Sequence, residues 1–588
     1  MFTKISAGLL KRSIRHKHFN HFWDKNDGMR ADINFVHAPS IFDFRKRNLK
    51  EGPLSDVIPS TPLFEMYPVG FVSMLGYAIR NGYRARISNI AVLMLSDRNF
   101  DVDRYIKSLD SEIFGIDLHW LPHVHGAFNV ARLIRKYHPN SKILLGGFSS
   151  SYFATDIMES NQDIDFILAG DFVEKQLIRL LEANERGTPL EEVPNLVFRK
   201  EGRIITNPRL KDPDPGDAVY LDYSVLFKNA FKYHDIKGHL PYYSWIQNPT
   251  GMTVIQRGCQ LNCGFCGGSN FAYRNNYFSS SPVRRAPQRV AEEMEVIRDT
   301  ISSPIFLAGD VRMAGEKYYT ELFSEIRNRG LDLPLLTEYF EPPTESYLEM
   351  LSRYVSEYSC EISPESSKEA IRRRAGKHYS NAELEKSIEN ASRLGSKKFD
   401  VYYSIGLPEQ TVDRVLEDCS YMEKMMYRFR NKEMAVHGFI APLAPFIDPG
   451  SLFYEKSEQF GYRIKARKIM DYYDLLDRGI SWEDFLNYET KWMSKEDIVR
   501  ATYQSGLREA EIGNKLGFIT SNEKNEIQTN IMGYMNGLPY TPKDDKSKHL
   551  TYLQKEIEWS HRHSLTAVSI TVFIYHQYEF IRRAIMSS

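Results

Sequence analysis

Cysteine is scarce in this chain, and its two kinds of charge cancel. Only five of the 588 residues are cysteines. So few cysteines exclude a disulfide framework and are typical of a protein in the reducing cytoplasm. Lys plus Arg and Asp plus Glu both number 76, so the net charge is zero. General nucleic-acid binding needs a basic excess, and we therefore expect no nucleic-acid partner.

Long hydrophobic runs are also missing. The longest apolar segment, Leu565 to Tyr575, is too short to cross a bilayer, so we expect no integral membrane segment. The basic stretch at residues 1–30 lacks the apolar core and cleavage site of a signal peptide and is interpreted as a solvated N-terminal extension. At this length one hydrophobic core is not enough, and two or three domains are expected.

Three of the five cysteines are crowded into eight residues. They are Cys259, Cys263 and Cys266. Three thiolates cannot close a four-ligand metal site, but they can hold three irons of a cubane cluster and leave the fourth iron open. An open position is how metal sites do chemistry, so this loop makes the chain a candidate enzyme.

Other interpretations of the three cysteines remain open at this stage. A zinc knuckle would need a fourth Cys or His nearby, yet the next cysteine is Cys360. A redox dithiol would leave Cys259 unexplained. The spacing favours an iron–sulfur cluster over both.

Residues 31–200 alternate short apolar runs with helical periods. Ile33–Val36, Ile113–Ile116, Lys142–Leu145 and Phe166–Ala169 are predicted strands. This alternation predicts an α/β domain with a doubly wound, flavodoxin-like parallel sheet. Such sheets bind ligands beyond the carboxyl ends of their strands.

Strand–helix units continue through residues 246–455, after a linker at 201–245. They predict a barrel or partial barrel with its site at the carboxyl ends of the strands. Polar or glycine residues follow several of these strands: Gly309, Asp310, Glu365, Ser366 and Gly406. Residues 456–588 are predicted to form a helical C-terminal domain.

The Cys-x-x-x-Cys-x-x-Cys spacing, with Phe265 before the third cysteine, resembles the signature of radical S-adenosylmethionine (SAM) enzymes. The resemblance implies a partial (β/α)6 TIM-like barrel and a [4Fe–4S] cluster whose open iron binds SAM. It also implies positions around SAM: Phe265 beside it, Gly309 and Asp310 at its amino end, Glu365 and Ser366 at the ribose or charged end, and Gly406 near the adenine. The alternatives are that Asp310 caps a helix and that Glu365 lies in a surface ion pair.

The first domain resembles the cobalamin-binding domain that precedes many radical SAM cores. The resemblance is carried by the order of Tyr67–Gly70, Leu144–Gly147 and Ala169–Glu174. It implies that Gly146, Gly147 and Ser149 line the pocket for the nucleotide tail of cobalamin. The Asp-x-His-x-x-Gly loop of other cobalamin proteins is absent. His119 could approach the lower face of the cobalt instead, or it could be a hydrogen-bonded loop histidine.

Together these resemblances imply a cobalamin-dependent radical SAM methyltransferase that acts on an unactivated carbon. In the usual scheme of the family, one SAM supplies the methyl group through cobalamin, and a second SAM yields a 5′-deoxyadenosyl radical that abstracts hydrogen from the substrate. The alternatives are a radical cyclase or carbon–carbon coupling enzyme without net methyl transfer, and a cobalamin- or redox-sensing module. The implied partners are a small-molecule or peptide substrate and an electron donor such as ferredoxin or flavodoxin. No catalytic residue is identified.

Overall fold

A computed structural model describes residues 30–47, 49, 63–209, 218–277, 282–536 and 554. The predicted N-terminal extension, apart from Arg30, and the apolar segment from Leu565 to Tyr575 lie outside the described residues. In the part of the chain that is described, no helix is both long enough and apolar enough to span a bilayer.

The first domain is built on a seven-stranded sheet with the order β2-β1-β3-β4-β5-β6-β7. The first five strands are parallel, and their order 2-1-3-4-5 is the flavodoxin-like order that the sequence predicts. The hairpin β6–β7 extends the sheet in antiparallel fashion and was not predicted. The strands are β1 (Arg30–His37), β2 (Ala85–Asn89), β3 (Asp110–Asp117), β4 (Lys142–Gly146), β5 (Phe166–Leu168), β6 (Leu196–Lys200) and β7 (Arg203–Thr206).

Helices surround this sheet, and their ends follow local sequence signals. Asn89 caps the helix Ile90–Ser96 by accepting a hydrogen bond from the backbone N of Val92. Gly187 ends the helix Glu174–Arg186 in a left-handed conformation. The helices are α1 (Gly70–Arg80), α2 (Ile90–Ser96), α3 (Val102–Ser108), α4 (Val124–Tyr137), α5 (Phe148–Tyr152), α6 (Ala154–Ser160) and α7 (Glu174–Arg186), with 3-10 turns at Phe44–Lys46, Leu121–His123 and Leu190–Glu192.

Two further helices occupy the segment predicted as a linker. They are α8 (Tyr223–Lys232) and α9 (Ile236–His239). Helix α8 packs against α1, and α9 packs against β2. The segment is therefore part of the packed structure and not an open connection.

The core is an open sheet of six parallel strands in chain order, from β8 through β11, β12, β13 and β14 to β15. This arrangement agrees with the predicted partial barrel. The strands are β8 (Gly251–Val254), β9 (Gln256–Arg257), β10 (Val283–Arg284), β11 (Ile305–Ala308), β12 (Leu335–Tyr339), β13 (Tyr358–Glu365), β14 (Lys398–Ile405) and β15 (Ala435–Pro442), of which β9 and β10 form a separate ribbon.

The helices of the core connect successive strands. Ser380 and Glu383 form a capping box at the start of α15. The helices are α10 (Asn270–Ala272), α11 (Pro287–Thr300), α12 (Glu316–Asn328), α13 (Glu345–Tyr354), α14 (Glu369–Arg374), α15 (Asn381–Arg393) and α16 (Val412–Phe429), with a π-helical turn at Tyr273–Tyr277 and a 3-10 turn at Val311–Ala314.

The described C-terminal part, which ends at residue 536 apart from residue 554, is mostly helical, as predicted, but it also contains a small antiparallel sheet. The rest of the predicted helical domain lies outside the described residues. Helix α20 packs along β15, and Glu509 accepts a hydrogen bond from the backbone N of Ile440 at 2.6 Å. This contact covers the edge of the open sheet. The elements are α17 (Leu452–Glu455), β16 (Tyr462–Ile464), α18 (Ile469–Arg478), α19 (Trp482–Phe485), β17 (Tyr488–Thr490), α20 (Lys495–Leu516) and α21 (Ser521–Met535).

Candidate active site

The three-cysteine loop follows β9 directly, and all three thiols are half-buried. The backbone N of Leu261 donates to Cys259 Sγ at 3.4 Å, and that of Gly268 donates to Cys266 Sγ at 3.3 Å. Hydrogen bonds of this kind tune the potential of a cluster. Burial raises the pKa of the Cys259 thiol to about 11, so metal binding would have to release its proton.

The loop is held between α14 and α17 by close backbone contacts. The N of Gly264 donates to the carbonyl of Ala375 at 2.9 Å, and its own carbonyl accepts from the N of Phe453 at 2.8 Å. Gly376 has φ +97°, and a Cβ built there would lie 2.5 Å from the carbonyl oxygen of Asn262. Only glycine allows this approach, so the position of the thiols depends on neighbours more than one hundred residues away.

Within the described residues, no group of three or more His, Cys, Asp or Glu side chains is placed to hold a single metal ion. Each cysteine of a cubane cluster binds a different iron, so its ligands do not have to converge on one point. The residue types and spacing of the loop fit such a cluster.

Phe265 and Gly406, both assigned to SAM by the resemblance, adjoin the same small apolar cluster. Phe265 packs against this cluster of Ile371, Ala375 and Leu407, and Leu407 is the residue after Gly406. Gly406 has φ +99°, and the Tyr462 hydroxyl donates to its carbonyl at 2.7 Å. The small C-terminal sheet thus supports the turn that the resemblance places near the adenine.

Glu365 is not in a surface ion pair. Its carboxylate is buried, lies 2.9 Å from Lys377 Nζ, and accepts from Ser404 Oγ at 2.5 Å. Burial would lower the pKa of Lys377, but Glu365 and Cys263 raise it above its usual value. A fixed positive charge therefore lies beside the cysteine loop.

The side chains of Asp310 and Ser366 form hydrogen bonds and, for Asp310, an ion pair within the protein. Asp310 caps the turn after β11, pairs with Arg312, and accepts from the N of Phe340 at 3.0 Å. The Ser366 hydroxyl donates to Asp418 at 3.1 Å. The capping alternative thus describes Asp310 correctly, and the SAM contacts expected of these two side chains stay untested predictions.

Glu338, near the carboxyl end of β12, is the carboxylate beside Gly309. Its Oε2 accepts from the backbone N of Gly309 at 2.8 Å. Burial raises the pKa of Glu338, and the charge of Asp310 adds to this shift. Only the pairing of β11 with β12 reveals this neighbour.

Two adjoining cavities lie where the first domain meets the core. The larger, of about 640 Å³, is mostly apolar and is bounded by Gly146 and Gly147 on one side and by Met252 and Phe306 on the other. The smaller, of about 340 Å³, reaches the thiol loop. Residues that border both cavities are Phe64, His119, Trp120, Phe148 and Gly268.

The structure brings His119, Gly147 and Ser149 together at these cavities. The His119 ring lies 4.6 Å from that of Phe148. Ser149 donates its hydroxyl to the carbonyl of His119 at 3.0 Å. A Cβ on Gly147 would lie 2.5 Å from His119 Cα. Both interpretations of His119, as a group below the cobalt and as a hydrogen-bonded loop histidine, stay predictions.

An ion-pair cluster joins the two domains beside the cysteine loop. Arg257, two residues before Cys259, lies 2.7 Å from Glu174 and 3.3 Å from Asp171. Tyr273 donates to Asp171 at 2.6 Å. Burial would raise the pKa of Glu174, but Arg257 holds it below its usual value.

Comparison with known proteins agrees with this geometry. Residues 253–422 match the family model described as the radical SAM superfamily. They form a radical SAM domain. This domain includes the cysteine loop and the strand ends at Gly309, Glu365 and Gly406.

Two curated relatives are similar to part of the chain. Hopanoid C-3 methylase of Methylococcus capsulatus is 23% identical over 269 residues, which is 45% of this chain and 46% of the relative. The anaerobic magnesium-protoporphyrin IX monomethyl ester cyclase of Synechocystis is 27% identical over 197 residues, which is 33% of this chain and 35% of the relative. Each match spans less than half of the relative's length.

A solved structure shares the fold over most of the chain. It is that of the radical SAM methyltransferase TsrM from Kitasatospora setae with cobalamin and a [4Fe–4S] cluster bound. The TM-score is 0.57 at 12% identity, and the match covers 86% of this chain and 99% of TsrM. The predicted order of an α/β domain, a radical SAM domain and a C-terminal region is confirmed at the level of the fold.

Proposed function

We propose that this chain is a cobalamin-dependent radical SAM methyltransferase that acts on an unactivated carbon. One observation carries the proposal. Cys266 and the glycine loop Gly146–Gly147 face adjoining cavities that share His119 and Phe148 in their walls. A cluster on the thiols and a flat cofactor on the glycine loop would therefore be neighbours.

The residues at the site fit the three cofactors. The thiols of Cys259, Cys263 and Cys266 would hold the cluster. Gly309 and Glu365, at the carboxyl ends of β11 and β13, would bind the polar ends of SAM. A Cβ added to Gly146 would meet nothing within 4 Å, so this backbone is open to the approach of cobalamin. When bound, the cluster supplies an electron to SAM, and cobalamin carries the methyl group.

The chain's own residues would position these groups and exclude water. Arg257 and Glu174 fix the first domain against the cysteine loop. Tyr488 packs against the turn at Gly406, where its hydroxyl would collide with an added Cβ. Holding the methyl carrier, SAM and the substrate carbon at a fixed separation is the main contribution that a protein makes to this chemistry.

The remaining parts of the proposal are its partners and location. The electron donor would be a ferredoxin or flavodoxin, and the substrate a small molecule or peptide. All five cysteines are free thiols, which supports a reducing cytoplasm.

Anaerobic reconstitution with iron, sulfide and hydroxocobalamin tests the cofactors. We expect about four irons and one cobalt per chain, and formation of 5′-deoxyadenosine from SAM when a low-potential reductant is added. A colourless protein with zinc or no metal at the thiols would refute the proposal.

Methyl-labelled SAM separates the alternatives. Label in a product supports methyl transfer. Deoxyadenosine without label in a product supports a cyclase or coupling enzyme, an alternative favoured by the similarity to the Synechocystis cyclase. A protein that binds cobalamin but forms no deoxyadenosine would be a sensing module.

A further inference from the structure

Four acid or base side chains lie side by side across four neighbouring strands of the core. Glu338 on β12 pairs in register with Glu361 on β13, Glu361 pairs with Asp400 on β14, and Asp400 pairs with His437 on β15. We name Glu338, Glu361, Asp400 and His437 the acid row. In sequence they are spread over about one hundred residues, and only the register brings them together.

The acid row faces the interior of the open barrel. Cys360 and Ile362, on either side of Glu361, belong to the hydrophobic core, and Cys360 accepts from Ser396 at 3.6 Å. Because side chains alternate along a strand, Glu361 points to the opposite face. Leu336, two residues before Glu338 and on the same face, lines the larger cavity. The row therefore lies on the face of the sheet that borders this cavity at Leu336.

The protein balances the charges of the row only in part. Asp400 lies 2.9 Å from Lys398 and 3.1 Å from His437. Among the described residues, neither Glu338 nor Glu361 has a cationic side chain in ion-pair contact. Glu361 is 7% exposed, and its Oε2 has no hydrogen-bond partner in the described structure.

A buried carboxylate without a partner is unfavourable unless it is protonated or meets a cation. Burial raises the pKa of Glu361 well above its usual value, and the charges of Glu338 and Asp400 add to the shift. The two glutamates thus form a place where an added positive charge would be stabilised from two sides.

An aromatic surface lies next to the row. Tyr402 and Phe439 follow Asp400 and His437 by two residues on the same inner face, and their rings stack at 5.1 Å with an interplanar angle of 17°. Such a pair can pack against the flat or apolar body of a ligand.

We propose that the acid row binds an ammonium group of the substrate, with the substrate's apolar or aromatic body against Tyr402 and Phe439. This assignment rests on the proposed function, because it places the substrate inside the radical SAM barrel. It selects amine-bearing substrates from the small molecules and peptides considered above.

Three probes of similar shape and different charge test the assignment. Benzylamine, benzyl alcohol and benzoate are titrated into the full-length protein at pH 7 and followed by saturation-transfer NMR. We expect benzylamine to bind at least about tenfold more tightly than benzyl alcohol, because a charge-assisted hydrogen bond is worth this much. Benzoate should not bind measurably.

Glu361→Gln keeps the shape of the side chain and removes its charge. It should reduce benzylamine binding to the level of benzyl alcohol while the affinity for SAM stays unchanged. Glu389→Gln, at an exposed position paired with Lys386, is the matched control and should bind like the wild type. Circular dichroism verifies that each variant is folded, and Glu338→Gln provides a second variant of the row.

The assignment is wrong if benzylamine does not bind, if benzyl alcohol binds equally well, or if both row variants retain full amine binding. Deoxyadenosine formation from SAM is measured on the same preparation. An active preparation without amine preference overturns the substrate class alone, whereas an inactive one with amine preference overturns the proposed function and leaves the cation site.

Discussion

Replacing Gly376 by alanine should remove iron from the protein before it unfolds the barrel. The backbone at this residue has φ +97°, a conformation that costs a residue with a side chain about 1–2 kcal/mol. The new Cβ would also lie 2.5 Å from the carbonyl oxygen of Asn262 and 3.1 Å from Cys263 Cα. Ordinary contact begins at 3.4 Å, so Asn262 would have to move by about 0.9 Å.

That movement would fall on the cysteine loop, because Cys263 follows Asn262 directly. Overpacking of this kind typically costs about 1–3 kcal/mol in addition to the backbone strain. We expect the loop, and not helix α14, to take up this movement. We therefore expect the thiols to be misplaced in an otherwise folded protein.

Gly395→Ala is the matched control. Gly395 also follows a helix and has φ +88°, but a Cβ there would meet nothing within 4 Å. Both variants carry the backbone strain, and only Gly376→Ala disturbs the loop. The assay is iron per chain and visible absorbance after anaerobic reconstitution, with thermal unfolding followed by circular dichroism.

We expect Gly376→Ala to bind less than half of the wild-type iron and Gly395→Ala to bind the full amount, with similar unfolding temperatures for both. Equal iron in the two variants would refute the reasoning that Gly376 holds the loop in place. A large loss of thermal stability in Gly376→Ala alone would show that the barrel, and not the loop, absorbs the collision.

Three further predictions concern the thiols, the domain contact and the glycine loop. Cys263→Ala should abolish iron binding, whereas Cys419→Ala, which removes a buried thiol outside the loop, should retain it. Glu174→Gln leaves Arg257 without its closest partner and should destabilise the protein by about 3–5 kcal/mol in thermal unfolding. Because the pKa of Glu174 is held below 4.5 in the folded protein, this difference should be complete above pH 4.5 and shrink as the pH falls further; a constant difference would contradict the ion pair. Gly147→Ala should weaken hydroxocobalamin binding in equilibrium dialysis, because the new Cβ would push on His119. Gly82→Ala is the control, since Gly82 has φ +92° and open space around a Cβ, and it should bind normally. Equal affinities of the two variants would show that cobalamin does not bind at this wall of the cavity.

The sequence could predict the parts of the site that depend on residue spacing or on the position of a strand end. The three cysteines are close in sequence, so no fold is needed to bring them together. Gly146 and Gly147 end a short apolar strand, and parallel strands present their carboxyl ends on one edge. From this rule alone the glycine loop could be placed at the ligand-binding edge of the first domain.

Side-chain partners were less predictable because they come from distant segments. The Ser366 hydroxyl turns to Asp418, and Glu365 meets Lys377. The hairpin β6–β7 and the small C-terminal sheet were missed for a similar reason, since short strands have weak periodicity and are stabilised by what they pack against. Tyr462, for example, gains its role only by meeting the carbonyl of Gly406.

The acid row marks the limit of what can be predicted from a sequence. Each strand alone shows a polar residue between apolar neighbours, as in Cys360-Glu361-Ile362, and this alternation is ordinary for a half-exposed strand. Only the register across β12 to β15 turns four such residues into one charged surface. The interior of a closed barrel is normally filled by branched apolar side chains, so carboxylates at that level work against packing. Proteins keep such an unfavourable burial of charge mainly where function requires it. The charge of the row therefore says more about the substrate than the fold around it does.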